Sequence, residues 1–124
     1  MIDHIGIHVK DIERSKAFYT KALAPLGYTI LRDFGPHVGM GAGQKPDFWM
    51  SEGTGEPNRL HICFVAKDRA AVRAFHAAAM AAGGRDNGQP GLRVEYHPNY
   101  YGGFVFDPDG NNVEVVCHTA GPDD

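Results

Sequence analysis

The chain has 124 residues, 43% hydrophobic and 22% charged, with 12 Lys and Arg against 15 Asp and Glu for a formal net charge of -3. This is ordinary globular composition, and without a basic excess it gives no support for a nucleic-acid or anionic-membrane partner. No apolar run nears the ~20 residues of a bilayer span, and Met1-Ile2-Asp3-His4 resembles no signal peptide. Two cysteines, Cys63 and Cys117, are too few for a disulfide framework. The expectation is a cytoplasmic protein with both thiols reduced and packed as small core residues.

Residues 2–9 alternate and are β-rich, which predicts a strand. Asp11 is placed to cap a helix starting at Ile12, with Glu13 in its first turn. Tyr19, Ala22, Leu23 and Leu26 fall at i, i+3, i+4 and i+7, one apolar stripe, before Pro25 distorts the last turn and Gly27 ends it. Residues 28–34 read as a second strand; 37–42 and 47–51 are weaker candidates, broken by Gly41, Gly43 and Pro46. A linker at 53–58 precedes a strand over 60–66, a second cap at Asp68, and a stripe of Val72, Phe75, Ala79 and Ala82 ended by Gly83-Gly84. A polar loop over 85–91 then leads to strands at 92–97, 101–106 and 112–117. The last two are joined by Asp107-Pro108-Asp109-Gly110, a strong turn signal, and the small polar tail 119–124 reads as frayed.

The two halves repeat with an offset of 57 residues. His4 falls on His61, Ile5 on Ile62, Lys10 on Lys67, Asp11 on Asp68, Ala17 on Ala74, Phe18 on Phe75, Ala22 on Ala79 and Gly27 on Gly84. A fixed period with matching punctuation is one supersecondary unit used twice. The expected architecture is therefore α+β, one domain over residues 1–124 made of two β-α-β-β-β units at about 1–52 and 59–118. Each unit opens with a histidine, so an approximate two-fold would bring two imidazoles to equivalent places.

Glu114 is flanked by valines in Asn112-Val113-Glu114-Val115-Val116, an odd place for a carboxylate unless something offsets its desolvation. With His4 and His61 it makes two imidazoles and one carboxylate, a set that holds Fe(II), Mn(II), Ni(II) or Zn(II) while leaving positions open for substrate oxygens. Taken singly, each histidine also reads as a hydrogen-bonded strand residue, and Glu114 as a carboxylate on an outer face. Along the strands, His4, Gly6 and His8 share one face, as do His61, Cys63 and Val65.

The paired units, each opening on Asp/Leu-His-Ile before an Asp-capped helix, resemble the vicinal oxygen chelate superfamily, which includes glyoxalase I, fosfomycin-resistance proteins, extradiol dioxygenases and bleomycin-resistance proteins. The most specific part is the closing stretch from Phe104 through Asp107-Pro108-Asp109-Gly110 to Glu114. The resemblance covers residues 1 to about 118. It implies strands curled into an incomplete barrel around a cup, with His4, His61 and Glu114 at the ligand positions of a divalent metal. It also implies a homodimer, in some members of which the two histidines of one site come from different chains. One departure is that glyoxalase I-like members carry a fourth ligand, usually Glu, on the last strand of the first unit. Here that strand reads Asp47-Phe48-Trp49-Met50-Ser51, with Asp47 and Glu52 only at its ends.

His8, where family members often contact substrate, is a candidate proton donor or acceptor, as are His97 and Tyr100. Trp49, Phe104 and Phe106 are candidate walls of a substrate pocket, although aromatics in strands are also ordinary core. His37, His76 and His118 read as peripheral, and Asp107, Asp109 and Gly110 as turn residues. The expected function is a metal-dependent enzyme of the glyoxalase/dioxygenase-like class, of lyase, isomerase or oxygenase type, chelating neighbouring oxygens of a small molecule. The alternative is a non-catalytic, bleomycin-resistance-like binding protein using the same cup.

Overall fold

The computed structural model describes residues 1–56 and 58–121, so the expected linker at 53–58 and tail at 119–124 lie partly outside it. The first unit runs β1 (Ile5–Val9), α1 (Ile12–Ala22), a 3₁₀ turn (Ala24–Leu26), β2 (Thr29–Asp33), β3 (His37–Gly41) and β4 (Phe48–Glu52). The second runs β5 (His61–Val65), α2 (Arg69–Ala81), β6 (Arg85–Leu92), β7 (Tyr101–Phe106) and β8 (Asn112–Cys117). Each unit closes a four-stranded mixed sheet, in the order β1-β4-β3-β2 and β5-β8-β7-β6. The two sheets stay separate and do not close into a barrel. Among the described residues no helix is long and apolar enough to cross a membrane.

The parallel pair in each sheet joins the first strand of a unit to its last, β1 to β4 and β5 to β8, and the helix supplies the crossover such a pair requires. Both helices start at the expected aspartates: Asp11 accepts the Arg14 amide at 3.2 Å and Asp68 the Ala71 amide at 2.8 Å. The stripes face one shared core, with Tyr19, Ala22, Leu23, Val72, Phe75 and Ala79 all fully buried against strand residues of both units. Pro25 sits inside the 3₁₀ turn, and Gly27 follows it at φ 84°, a left-handed value that favours glycine.

The stretch 85–97 departs from expectation. The polar segment expected as a loop is the edge strand β6, and the expected strand at 92–97 is mostly a turn, closed by Tyr96 N–H to Arg93 O at 2.9 Å and Arg93 N–H to Tyr100 O at 2.7 Å. An edge strand pairs on one side only, so β6 tolerates Pro90 and two register breaks, between Asp86 and Gly88 and between Gly88 and Gly91. Pairing with β7 overrides its poor β propensity. Two single-residue expectations also fail. His76 is not on a solvated face: it is buried, with Nε2 at 2.8 Å from Asp86 Oδ1. Cys63 is not in the core but exposed, whereas Cys117 is buried as expected.

The turn after β7 also links the units. Asp107 is buried and accepts the amides of Asp109 and Asn111, the Asn111 side-chain amide, and the Tyr19 hydroxyl of α1 at 2.5 Å. Burial, and then the Asp107 carboxylate, hold the Tyr19 phenol well above its usual range, so it stays a donor. Replacing Tyr19 by Phe removes that donor while keeping the ring, and is expected to lower unfolding free energy by about 1–3 kcal/mol. Urea denaturation checks this; a loss under about 0.5 kcal/mol would mean the bond contributes nothing net.

Candidate functional site

Alternation on β5 turns Ile62 and Phe64 into the core and leaves His61, Cys63 and Val65 on the open face. Glu114, opposite Cys63 on β8, is only 2% exposed. Two partners offset the desolvation of its carboxylate: His61 Nε2 lies 2.8 Å from Oε1, and the Tyr100 hydroxyl donates to Oε2 in a very short hydrogen bond. Tyr100 comes from the turn after β6. Burial first, and then the Glu114 carboxylate, push its phenol above the usual range, so at neutral pH it is a donor and not a base.

Around this centre stand three more rings. Phe104, opposite Glu114 on β7, has its ring centre 6.4 Å from that of His61, and the Arg93 guanidinium lies 5.4 Å above Phe104. His97 packs edge-on to Tyr100 at 5.4 Å and shares a 2.8 Å hydrogen bond with His118, so His118 is part of the cluster and not peripheral. Phe106, two residues from Phe104, stands apart under the Arg85 guanidinium.

His4 belongs to the other sheet. It lies one residue ahead of β1, with Nδ1 at 2.7 Å from Asp3 Oδ1, and the same oxygen takes Lys45 Nζ at 2.6 Å. These groups hold the Asp3 carboxyl below the usual range, the His4 hydrogen bond most and Lys45 next. A pocket of about 550 Å³ is lined there by His4, Gly6, His37, Lys45, Trp49 and Ser51. His37 is not peripheral either: its ring stacks on Trp49 at 4.7 Å, and Nδ1 meets Ser51 Oγ at 2.5 Å. His8 shares the His4 face but lines a smaller crevice with Lys10, Arg14 and Asp109.

The structure thus brings together His61, Glu114, Tyr100, Phe104 and His97, and sets His4, Trp49 and His8 elsewhere. Among the described residues no group of three or more His, Cys, Asp and Glu lies together as a metal site. Of the strand-end carboxylates, Asp47 accepts the Tyr28 hydroxyl at 2.9 Å and Glu52 accepts the Ile12 amide at 2.9 Å. Sequence reasoning missed Asp3, Lys45, His37, Ser51 and His118. Register marks His37 and Ser51 only once β3 and β4 are paired, Asp3 and Lys45 lie outside the strands, and His118 is marked only once the turn at 93–100 is known.

Although Cys63 is exposed as a residue, its sulfur is partly buried beside Glu114, and that desolvation first and then the carboxylate push the thiol up to about 12. Alkylation by iodoacetamide at pH 8 is therefore expected to be at least ~10-fold slower at Cys63 than at an ordinary thiol of pKa ~8.5. Glu114→Gln is expected to raise the rate. Peptide mass spectrometry after timed labelling reads both, and a rate equal to that of a free thiol would rule out this electrostatic coupling.

Comparison with known proteins agrees with this fold. A glyoxalase/bleomycin resistance protein from Albidiferax ferrireducens T118 is 28% identical, covering 93% of this chain and 97% of that one, with a TM-score of 0.76. A hypothetical protein from S. aureus is 25% identical over 94% of both chains, with a TM-score of 0.69. A lactoylglutathione lyase from Agrobacterium tumefaciens, at 22% identity over 94% of this chain and 92% of its own, shares the fold with a TM-score of 0.67. No curated protein matches the chain in sequence. The family profile of the Glyoxalase/Bleomycin resistance protein/Dioxygenase superfamily matches residues 1–115, and the chain, with its two β-α-β-β-β units, belongs to that superfamily.

Proposed function

We propose that the protein is a divalent-metal-dependent enzyme acting on a small molecule through two adjacent oxygens, of lyase, isomerase or oxygenase type. The observation that carries this reading is the Glu114 carboxylate, 2% exposed and held 2.8 Å from His61 Nε2. A nitrogen and a carboxylate oxygen so placed are two donors of a three-donor set for Fe, Mn, Ni or Zn. His4, with Nδ1 taken by Asp3, keeps Nε2 as the third donor atom. When bound, the metal supplies Lewis-acid stabilisation of negative charge on chelated oxygens. Tyr100 spends its one hydroxyl proton on Oε2 and so orients Glu114, and the hydrogen-bonded His97–His118 pair packed against its ring is the candidate proton donor or acceptor for a substrate oxygen.

Because His4 lies on one open sheet face and His61 with Glu114 on the other, the reading includes a homodimer in which the face of β1 and β4 in one copy meets the face of β5 and β8 in the other. Sedimentation at micromolar concentration is expected to give roughly twice the 13.5 kDa chain mass. A species of single-chain mass only would sink the shared site.

Protein prepared without chelator is expected to hold roughly one metal per chain, and His61→Ala, Glu114→Ala and His4→Ala each to lose most of it. Affinity is expected to fall below about pH 6, where protonated imidazole has no lone pair to give. The second reading, a binding protein without catalysis, is favoured by the absence of a three-donor cluster within one copy among the described residues. Parental metal content near zero, unchanged by the three substitutions, would select it.

A further inference from the structure

Strand β6 meets β7 with Asp86 opposite Val105 and Gly88 opposite Phe104, so Asn87 is an extra residue, a β-bulge outside the ladder. The first unit carries the same device on β2, where Ile30 and Arg32 stand opposite Met40 and Gly39 and leave Leu31 extra. The chemistry at the two bulges differs. Asn87 is exposed and precedes Gly88, the only Asn-Gly pair in the chain. An asparagine before glycine is the one most prone to lose its side-chain ammonia, because no Cβ shields the next amide nitrogen from the asparagine Cγ.

Both reacting groups are occupied in the folded chain. The Gly88 N–H donates to Asp86 Oδ1 at 3.0 Å, closing an Asx turn over the bulge. The same oxygen lies 2.8 Å from Nε2 of His76, which is buried on α2. These bonds, His76 first and the Gly88 amide next, hold the Asp86 carboxyl below its usual range, so a negative charge faces the Gly88 N–H at neutral pH. An amide nitrogen attacks only after losing its proton, and a carboxylate accepting that proton's hydrogen bond opposes the loss. The Asn87 side chain is tied as well, with Nδ2 donating to Asn112 Oδ1 of β8 at 3.1 Å.

We propose that Asn87-Gly88 is a self-modification site of this protein, and that His76 and Asp86 hold it shut while the chain is folded. When the Asx turn opens, the Gly88 nitrogen gives up its proton and bonds to Asn87 Cγ. The Cγ–Nδ2 bond breaks, and the side-chain nitrogen leaves as ammonia with that proton. Water then opens the cyclic succinimide at Cγ, giving aspartate, or at the residue 87 backbone carbonyl, giving isoaspartate. No electrons are transferred, and water is the only co-reactant. Either product sets a new negative charge beside Asp86. Isoaspartate also adds a carbon to the path of β6, the strand that runs into the turn bearing Tyr100.

The whole chain is incubated at slightly alkaline pH, and the aspartyl and isoaspartyl forms of its tryptic peptide 86–93 are separated and weighed over time. The folded parent is expected to react at least ~10-fold more slowly than the guanidinium-unfolded chain, and Asp86→Ala about tenfold faster than the folded parent. Asp86→Ser, which accepts the same amide without a charge, is expected to fall between them. His76→Phe keeps a ring but no donor and is expected to raise the rate about threefold. Asn87→Gln is expected to abolish the products. Hydrogen exchange distinguishes a guard from a loosened strand: in Asp86→Ala the Gly88 amide is expected to lose protection while the β7 amides keep theirs. Equal rates in the folded and unfolded parent, or a parental rate in Asp86→Ala, overturns the proposal. So does an equal loss of protection at Gly88 and along β7, which would make Asp86 a structural residue only.

Discussion

A buried carboxyl side chain, Glu114, between two fully buried valines, Val113 and Val115, is the constraint on which the rest of this site depends. Such a group costs several kcal/mol to bury unless hydrogen-bond partners meet it. His61 reaches Glu114 only because β5 pairs with β8 in parallel, which needs α2 as its crossover. Tyr100 reaches it only because the chain leaves β6 at Leu92 and turns back before β7. Helix, edge strand and turn are thus parts of one arrangement around a single side chain.

The two units solve the same backbone problem and diverge in their side chains. Both have an Asp-capped crossover helix and a parallel first-to-last strand pair, and both send alternate residues of the first strand into one core. The open faces then differ. One presents a carboxylate with imidazole and phenol partners; the other presents an indole with imidazole and hydroxyl partners. A duplicated framework has one half suited to polar chelation and the other to ring contact.

The elements with strong periodicity were legible in the sequence: both helices with their caps, and the strands containing His61, Phe104 and Glu114. The pairing of His61 with Glu114 was legible as well, because alternation sets His61 and Cys63 on one face and valines flank the carboxylate. Residues 85–97 were not legible. Their local preferences point to loop then strand, and only pairing with β7, a long-range effect, reverses the order. The same holds for His76, whose neighbours on the helix are small alanines but whose ring is covered by Asp86 from another element. The position of His4 away from Glu114 was also hidden, since a repeat fixes equivalence within units and not how two sheets stand to each other.

The treatment of the strand edges bears on how this protein can associate. Two open sheets expose four outer strands, each able to pair with another chain. β6 carries Pro90 and two register breaks, and β2 carries a register shift beside Arg32 and Asp33. Along β1, the Asn58 amide takes the His8 N–H at 3.2 Å and donates back to the His8 carbonyl, occupying backbone groups that a foreign strand would use. β5 is short, at five residues. Strand addition is thereby discouraged on every side, and contact between molecules is left to the faces, where side chains rather than backbone decide the fit.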